Sequence, residues 1–342
     1  MEIKNATVFE TAALPLPGPG DRPGLVVIVK ATFVFAMDRT GLAAEQVPIS
    51  YGDSFYDEKE GGGIRYESDL APYKPKTDVV LCGKAYAPDN QPAGQVDVTL
   101  KVGPVQKRLT VFGRRLWNHA GVLSRRYTRT AAQPFTAQAI RYCDAFGGID
   151  ETTGEYCEHN LSGKGFYALK TKANLAGKPL PLIENPRHLI KSPKDHPAPA
   201  GFGFYHRAWQ PRAALAGTRD KAWCLKRSPR QPEDFNYHFY NGAHPDLQVK
   251  GYLKGNEPVE LIHLTPENRI QFALPGIRPL CRVLRAQQSK EKKIAMNLDT
   301  VFIEPELRRY CLVWRGSAPL AELSEAKIDR VTIAIEPVET KP

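Results

Sequence analysis

"LVVIVKATFVF", residues 25–35, decides the fold class. Val27, Val29, Ala31, Phe33 and Phe35 fall on one face, and Lys30 and Thr32 on the other. That is the two-residue period of a strand rather than the 3.6-residue period of a helix. Its β-branched and aromatic side chains suit a pleated, buried surface.

The same signature recurs towards both ends of the chain. "DVVLCGKAYA" (78–87) reads as a second strand. In "QVDVTLKVGPVQKRLTVFG" (95–113), Val96, Val98, Leu100 and Val102 alternate with Asp97, Thr99 and Lys101. The chain turns near Gly103 and Pro104 and returns through Leu109 and Val111, which is a hairpin. "VELIHLTPENRIQFALPG" (259–276) gives two short strands about a TPEN turn. "DTVFIEPELRRYCLVWRG" (299–316) gives another hairpin, with Tyr310, Leu312 and Trp314 on one face. "AELSEAKI" (321–328) has the length of two helical turns, and "DRVTIAIEP" (329–337) closes with Val331, Ile333 and Ile335 directed inward. Residues 114–250 have little periodicity and many Pro, Gly, Asn and aromatic residues. A stretch that long without elements of its own is read as irregular chain laid over a β-scaffold. The expected fold is mainly β: antiparallel sheets, sandwich or barrel-like, from the N- and C-terminal parts, a long loop-rich middle and few short helices. Residues 1–342 are expected to form one compact domain, with parts 1–113, 114–250 and 251–342 sharing a core.

Composition agrees with a folded chain. Apolar residues are 42% of 342, and 27 glycines with 29 prolines fall short of the low-complexity range while implying many turns. The N-terminus has no basic region leading into an apolar run, and Lys30 interrupts the most apolar window. A cytoplasmic location follows as an expectation. Six scattered cysteines without a CxxC are then expected as reduced thiols.

Catalytic signatures are missing: no GxSxG, HExxH, phosphate-binding glycine loop or GxGxxG after a strand. Adjacent Glu233 and Asp234 diverge too much for a glycosidase pair and fit a turn or helix start before Phe235. Cys143, Cys157 and His159 match no zinc spacing, and His238 and His244 are separated by a loop that fixes no geometry. No catalytic residue, metal or cofactor is expected.

Charge is more informative. The net charge is +10, and from Lys101 to Tyr142 nine basic residues (Lys101, Lys107, Arg108, Arg114, Arg115, Arg125, Arg126, Arg129, Arg141) meet no acidic one. A second cluster, Arg278, Arg282, Arg285, Lys290, Lys292 and Lys293, meets only Glu291. Such blocks point to an acidic partner, protein or nucleic acid. "AGFGFYHRAWQPRAALAGT" (200–218) concentrates aromatic rings and arginines. Gly201 and Gly203 permit backbone shapes closed to other residues, Pro211 fixes φ, and Phe202 and Trp209 offer large areas to bury. The stretch reads as rigid scaffold, as a preorganised partner-contact loop, or as a stacking platform for nucleic acid.

"YESDLAPYKPKTDVVLCGKAYAP" (66–88) carries a resemblance that continues in order through "DAFGG", "NLSGKGF", "GKPLPLIENP", "PAGFGFYHRAWQPR", "PRQPEDFNYHFYNGAHPDLQ", "GNEPVEL" and "LDTVFIEPELRRYCLVWRG". The chain resembles a bacterial domain-of-unknown-function family encoded beside type VI secretion spike genes. Its members are regarded as adaptors or chaperones that load toxic effectors onto the spike. Two departures stand out: Arg114 in "GRRLW" replaces the family's acidic residue, and Asn160-Leu161-Ser162-Gly163 replaces its Asn-Pro-x-Gly. The resemblance implies a non-catalytic adaptor whose partners are an effector toxin or PAAR-type protein and the spike protein VgrG. It would act as a monomer bound to its client. Nucleic acid and membrane are not expected partners. The candidate partner-binding residues are Arg114, Arg115, Trp117, Arg125, Arg126, Phe202, Trp209 and Arg212. A nucleic-acid-binding β-protein is the alternative on charge, and a β-sandwich hydrolase or carbohydrate binder on the aromatic loops.

Overall fold

A computed structural model of the chain describes residues 1–56, 63–121, 126–320 and 328–336. Its centre is the strand Pro23–Phe35. Val27, Val29, Ala31, Phe33 and Phe35 enter the largest apolar cluster, while Val26 and Ile28 pack on the opposite face with Ile49 and Val313. Burial on both faces explains why the run is nearly continuous in apolar residues. Lys30, on that second face, is itself buried and pairs with Asp69 at 2.9 Å.

The central sheet runs in the order Glu10–Pro17, Pro23–Phe35, Arg309–Pro319, Asn297–Glu304 and Asp78–Leu81, with the short strand Thr40–Leu42 beside the far end of Pro23–Phe35. All its pairings are antiparallel except the last, where Thr300 faces Asp78 in parallel register. Across the centre Tyr310 lies opposite Phe33, and their rings stack at 5.4 Å.

A second sheet runs Ile183–Glu184, Val105–Phe112, Gln95–Val102, Pro258–Ile262 and Arg269–Ala273. A third holds Glu2–Asn5, Ile328–Ile335, Pro279–Arg285 and Lys292–Ile294, its first pair parallel. One apolar cluster takes residues from all three, such as Val29, Leu100 and Val331. The protein is mainly β, and among the described residues no sheet closes into a barrel.

Three details depart from the periodicity. "DVVLCGKAYA" is two strands, because the chain leaves the central sheet after Leu81 and Lys84–Tyr86 pairs with Ala137–Ala139. Gly83 sits at the break, where a Cβ would lie 3.1 Å from the Pro305 ring. Val331 and Ile333 are buried as expected, but Ile335 is 43% exposed at the end of its ladder. Of the helical turns read at 321–328, residues 321–327 fall outside the described residues, and Ile328 opens a strand instead.

The middle third is irregular but not structureless. It holds the six-residue helix Lys221–Lys226, capped by Asp220, several 3₁₀ turns, and a small core of its own around Trp117, Phe146, Leu180 and Ile190. Among the described residues no helix is long and apolar enough to cross a membrane.

Candidate partner-binding groove

The run "YESDLAPYKPKTD" is a bracket of buried charge. Glu67 accepts from Arg212 at 2.6 Å and from Arg207 at 3.1 Å, and Arg207 also reaches Asp53 at 3.0 Å. Asp69 holds Lys30, and Lys74 pairs with Asp78 at 2.6 Å. Asp78 also accepts from the Asn241 side chain and the Gly242 amide. Arg212 donates to the carbonyls of Tyr205 (2.6 Å) and Phe239 (2.7 Å). A buried ion is tolerated when its remaining hydrogen-bonding capacity is filled in this way. The bracket ties residues 200–212 to the central sheet.

Aromatic packing completes the hold. Trp209 meets Tyr142 and Tyr205 edge-on, each at 5.4 Å between ring centres. Phe202 is fully buried and its carbonyl accepts from the Leu81 amide. Gly201 is required by close approach: a Cβ there would lie 2.7 Å from the Tyr142 ring. Gly203 has open space, and neither residue adopts positive φ, so Gly201 serves proximity and neither glycine serves an unusual backbone shape.

The outer side of this loop forms one wall of a groove of about 350 Å³, through His206, Ala208, Trp209 and Gln210. The opposite wall is Tyr156, Cys157, Glu158, Leu161 and Ser162, with Phe55 and Gly63 at one end. The walls are laced together: the Gln210 amide donates to Glu158 O at 3.0 Å, and the Tyr205 hydroxyl reaches both His159 O and Gln210 O. His159 Nδ1 lies 2.8 Å from Gln210 O.

Asn160 anchors the second wall from inside. It is fully buried, and its Nδ2 donates to Tyr142 O (2.7 Å) and Phe146 O (3.1 Å). Gly163 packs so closely that a Cβ would fall 2.6 Å from that amide nitrogen. With Asn160 directed inward, the next residue, Leu161, lies in the groove at 47% exposure, beside Tyr156 at 55% and Phe55 at 56%. Large apolar groups in one rigid concavity are the composition of a protein-contact surface.

Two ionisable groups of the groove, Cys157 and His206, are held in their neutral forms. Burial raises the Cys157 thiol above its ordinary range, which works against the thiolate a nucleophile needs. Burial, helped by the neighbouring Arg212 charge, lowers His206, so its ring is uncharged at neutral pH.

The sequence-selected residues separate into two groups. Arg115, Trp117, Phe202, Trp209 and Arg212 are interior, the position of scaffold residues rather than of exposed contacts. Arg115 pairs with Glu184 at 2.5 Å and lies over the Phe112 ring; Trp117 belongs to the small core of the middle third. Arg212 is 4% exposed along its side chain inside the bracket, and Trp209 backs the groove wall while only 5% exposed. Arg114 and Arg126 are exposed, and Arg125 lies outside the described residues. The block of nine basic residues is not one unopposed face. Arg115 takes Glu184, Lys107 takes Asp246 at 2.6 Å, Arg108 takes Asp97 at 3.6 Å, and Arg141 lies over the Tyr56 ring. Apart from Asp97, which lies across the same hairpin from Arg108, their partners are distant in sequence, so no local window reveals them.

The other candidates are structural as well. Asp234 binds the amide and hydroxyl of Thr218, closing a turn before Phe235. None of the six cysteines is joined in a disulfide. Among the described residues, no three His, Cys, Asp or Glu side chains gather as a metal site. Phe55, Tyr156 and Leu161 escape sequence reasoning because a two-residue strand, an isolated β-bridge and a turn are too short to carry periodicity.

Comparison with curated proteins finds no match, and comparison with solved structures finds none either. The family model described as an uncharacterized protein conserved in bacteria, DUF2169, matches residues 20–315, which takes in the charge bracket, both walls of the groove and the central sheet apart from its edge strand Glu10–Pro17 and the end of Arg309–Pro319. The chain belongs to the DUF2169 family.

Proposed function

We propose that this protein is a non-catalytic, cytoplasmic adaptor that binds a type VI secretion effector, or its PAAR-type domain, and assists its loading onto the VgrG spike. The observation that carries the reading is the groove with Phe55, Tyr156 and Leu161 exposed between two walls laced together by hydrogen bonds. A preorganised wall loses little conformational freedom on binding, so apolar contact is converted efficiently into affinity. Each half-exposed side chain gains about 1 kcal/mol when a client covers it. The client segment is shielded from aggregation in the same contact. The resemblance of residues 66–316 to a family regarded as adaptors supports this client class.

Paired basic residues weigh against the nucleic-acid alternative, since Lys107, Arg108 and Arg115 each have a carboxylate within 4 Å. The test replaces all three groove residues (Phe55→Ser, Tyr156→Ser, Leu161→Asp) and compares binding of a purified PAAR-domain effector. The variant should keep the parent's melting temperature and lose more than tenfold in affinity, about 2 kcal/mol. A variant that binds such an effector as the parent does would refute the assignment of the groove.

A further inference from the structure

The second sheet ends on one side in an incomplete strand. Val105–Phe112 pairs with Gln95–Val102 along its whole length, but its other edge meets only Ile183–Glu184, opposite Val111 and Thr110. Backbone groups alternate in direction along a strand. Phe112 faces outward, its amide donating to Leu182 O at 2.7 Å, so Thr110, Arg108 and Gln106 face outward too. After Glu184 the covering chain turns away. Pro186 has no amide proton to offer, and Asn185 folds the chain back by accepting from the Arg187 amide through Oδ1 and from the His188 amide through its carbonyl. The outward backbone groups of Gln106 and Arg108 therefore have no backbone partner among the described residues.

They border a groove of about 670 Å³ between residues 104–108 and 185–187, within the range of ligand clefts. Its charged lining is Lys107, Arg108 and Arg187 against Asp246 alone. The Lys107 ammonium is bonded to Asp246 and Arg108 is held only loosely by Asp97 at 3.6 Å, so Arg187 and Arg108 are the cations of the groove with charge to offer an incoming acidic chain. A small anion would answer the charges but not the outward carbonyls. An added strand answers both.

We infer that this groove takes an extended acidic segment of a partner protein, which adds as a strand to the open edge at Gln106 and Arg108 in line with Ile183–Glu184. Main-chain bonds supply the affinity of such strand addition, and alternate side chains supply the selection. An open edge is otherwise an aggregation liability, and the basic residues on it restrict which chains can use it. The site shares no residue with the apolar groove and does not rest on the adaptor reading.

The experiment uses the full chain and two fluorescein-labelled octapeptides, one alternating Glu and Val and one alternating Lys and Val. The Glu–Val peptide should bind and should slow hydrogen exchange at the amides of Gln106 and Arg108, while the Lys–Val peptide should not bind. Gln106→Pro removes an outward amide without breaking an inward ladder bond, so it should weaken Glu–Val binding at least tenfold while the melting temperature holds. Arg108→Glu with Arg187→Glu leaves the backbone intact and should reverse the preference between the peptides. Failure of the parent to bind the Glu–Val peptide at millimolar concentration overturns the inference. So does binding that both variants leave unchanged, or edge amides protected in the protein alone through concentration-dependent self-association.

Discussion

Replacing Arg212 with methionine tests whether the buried charge bracket holds the loop 200–212. The guanidinium donates to the Glu67 carboxylate and to the carbonyls of Tyr205 and Phe239. Methionine fills a similar volume but donates nothing. Two carbonyls then lose a charged donor, and Glu67 keeps only Arg207, whose side chain is 37% exposed. Removing one partner of a buried, hydrogen-bonded pair costs about 3–5 kcal/mol. That is a large part of the roughly 5–15 kcal/mol that separates folded from unfolded domains. At a urea m-value of about 3 kcal/mol/M, the midpoint should fall by about 1–1.7 M. Unfolding should be followed by tryptophan fluorescence and by circular dichroism together, because coincident curves justify two-state analysis. Adding Glu67→Gln to Arg212→Met should cost less than the sum of the two single changes by at least about 1 kcal/mol, since each single change strands the other group. A loss under about 1 kcal/mol for Arg212→Met, or strict additivity in the cycle, would refute the bracket.

Two further outcomes follow from the same interior. Trp209→Ala should cost about 3–5 kcal/mol and lower stability as a whole, because the ring packs against Tyr142 and Tyr205; an unchanged melting temperature would contradict this. Acid should destabilise the protein through His244, which burial and the adjacent Lys107 ammonium lower from 6.5 to about 4. Between those values the unfolded chain takes up a proton that the native ring refuses, so stability is complete above pH 6.5 and declines towards pH 4, by up to about 3 kcal/mol. Asp246, held below its ordinary range despite partial burial by its bond to Lys107, adds its own loss only at lower pH. Urea titrations at pH 7, 5.5 and 4.5 should show the decline in the parent and a smaller one in His244→Asn; equal slopes would remove His244 as the cause.

Sheet structure was legible where the physics is local. The alternation in residues 25–35 and 96–102 and the turns at Gly103-Pro104 and Pro266 match the ladders observed. The charge bracket was not, because Glu67 and Arg212 lie 145 positions apart and each looks like an ordinary surface ion in its own window. The basic block misled for the same reason: Arg115 finds Glu184 69 positions away, and Lys107 finds Asp246 139 positions away. Within the stretch 200–218, composition gave the concentration of rings and arginines but not their direction. Burial turned both into scaffold and left Leu161, Tyr156 and Phe55 to face solvent.

The pairing of Pro23–Phe35 with Arg309–Pro319 sets a clock on the making of this protein. Thr32 and Cys311 are neighbours across that pairing and 279 positions apart along the chain. At ribosomal rates of about 5–20 residues per second, the first of these strands emerges roughly 15–55 seconds before the second exists. For that interval a 13-residue apolar strand has only Glu10–Pro17 and the short Thr40–Leu42 to pair with, and its main neighbour has not been synthesised. A message cut short before residue 309 yields a polypeptide whose central sheet cannot form. The nascent chain is therefore the stage at which this protein most depends on a holding chaperone.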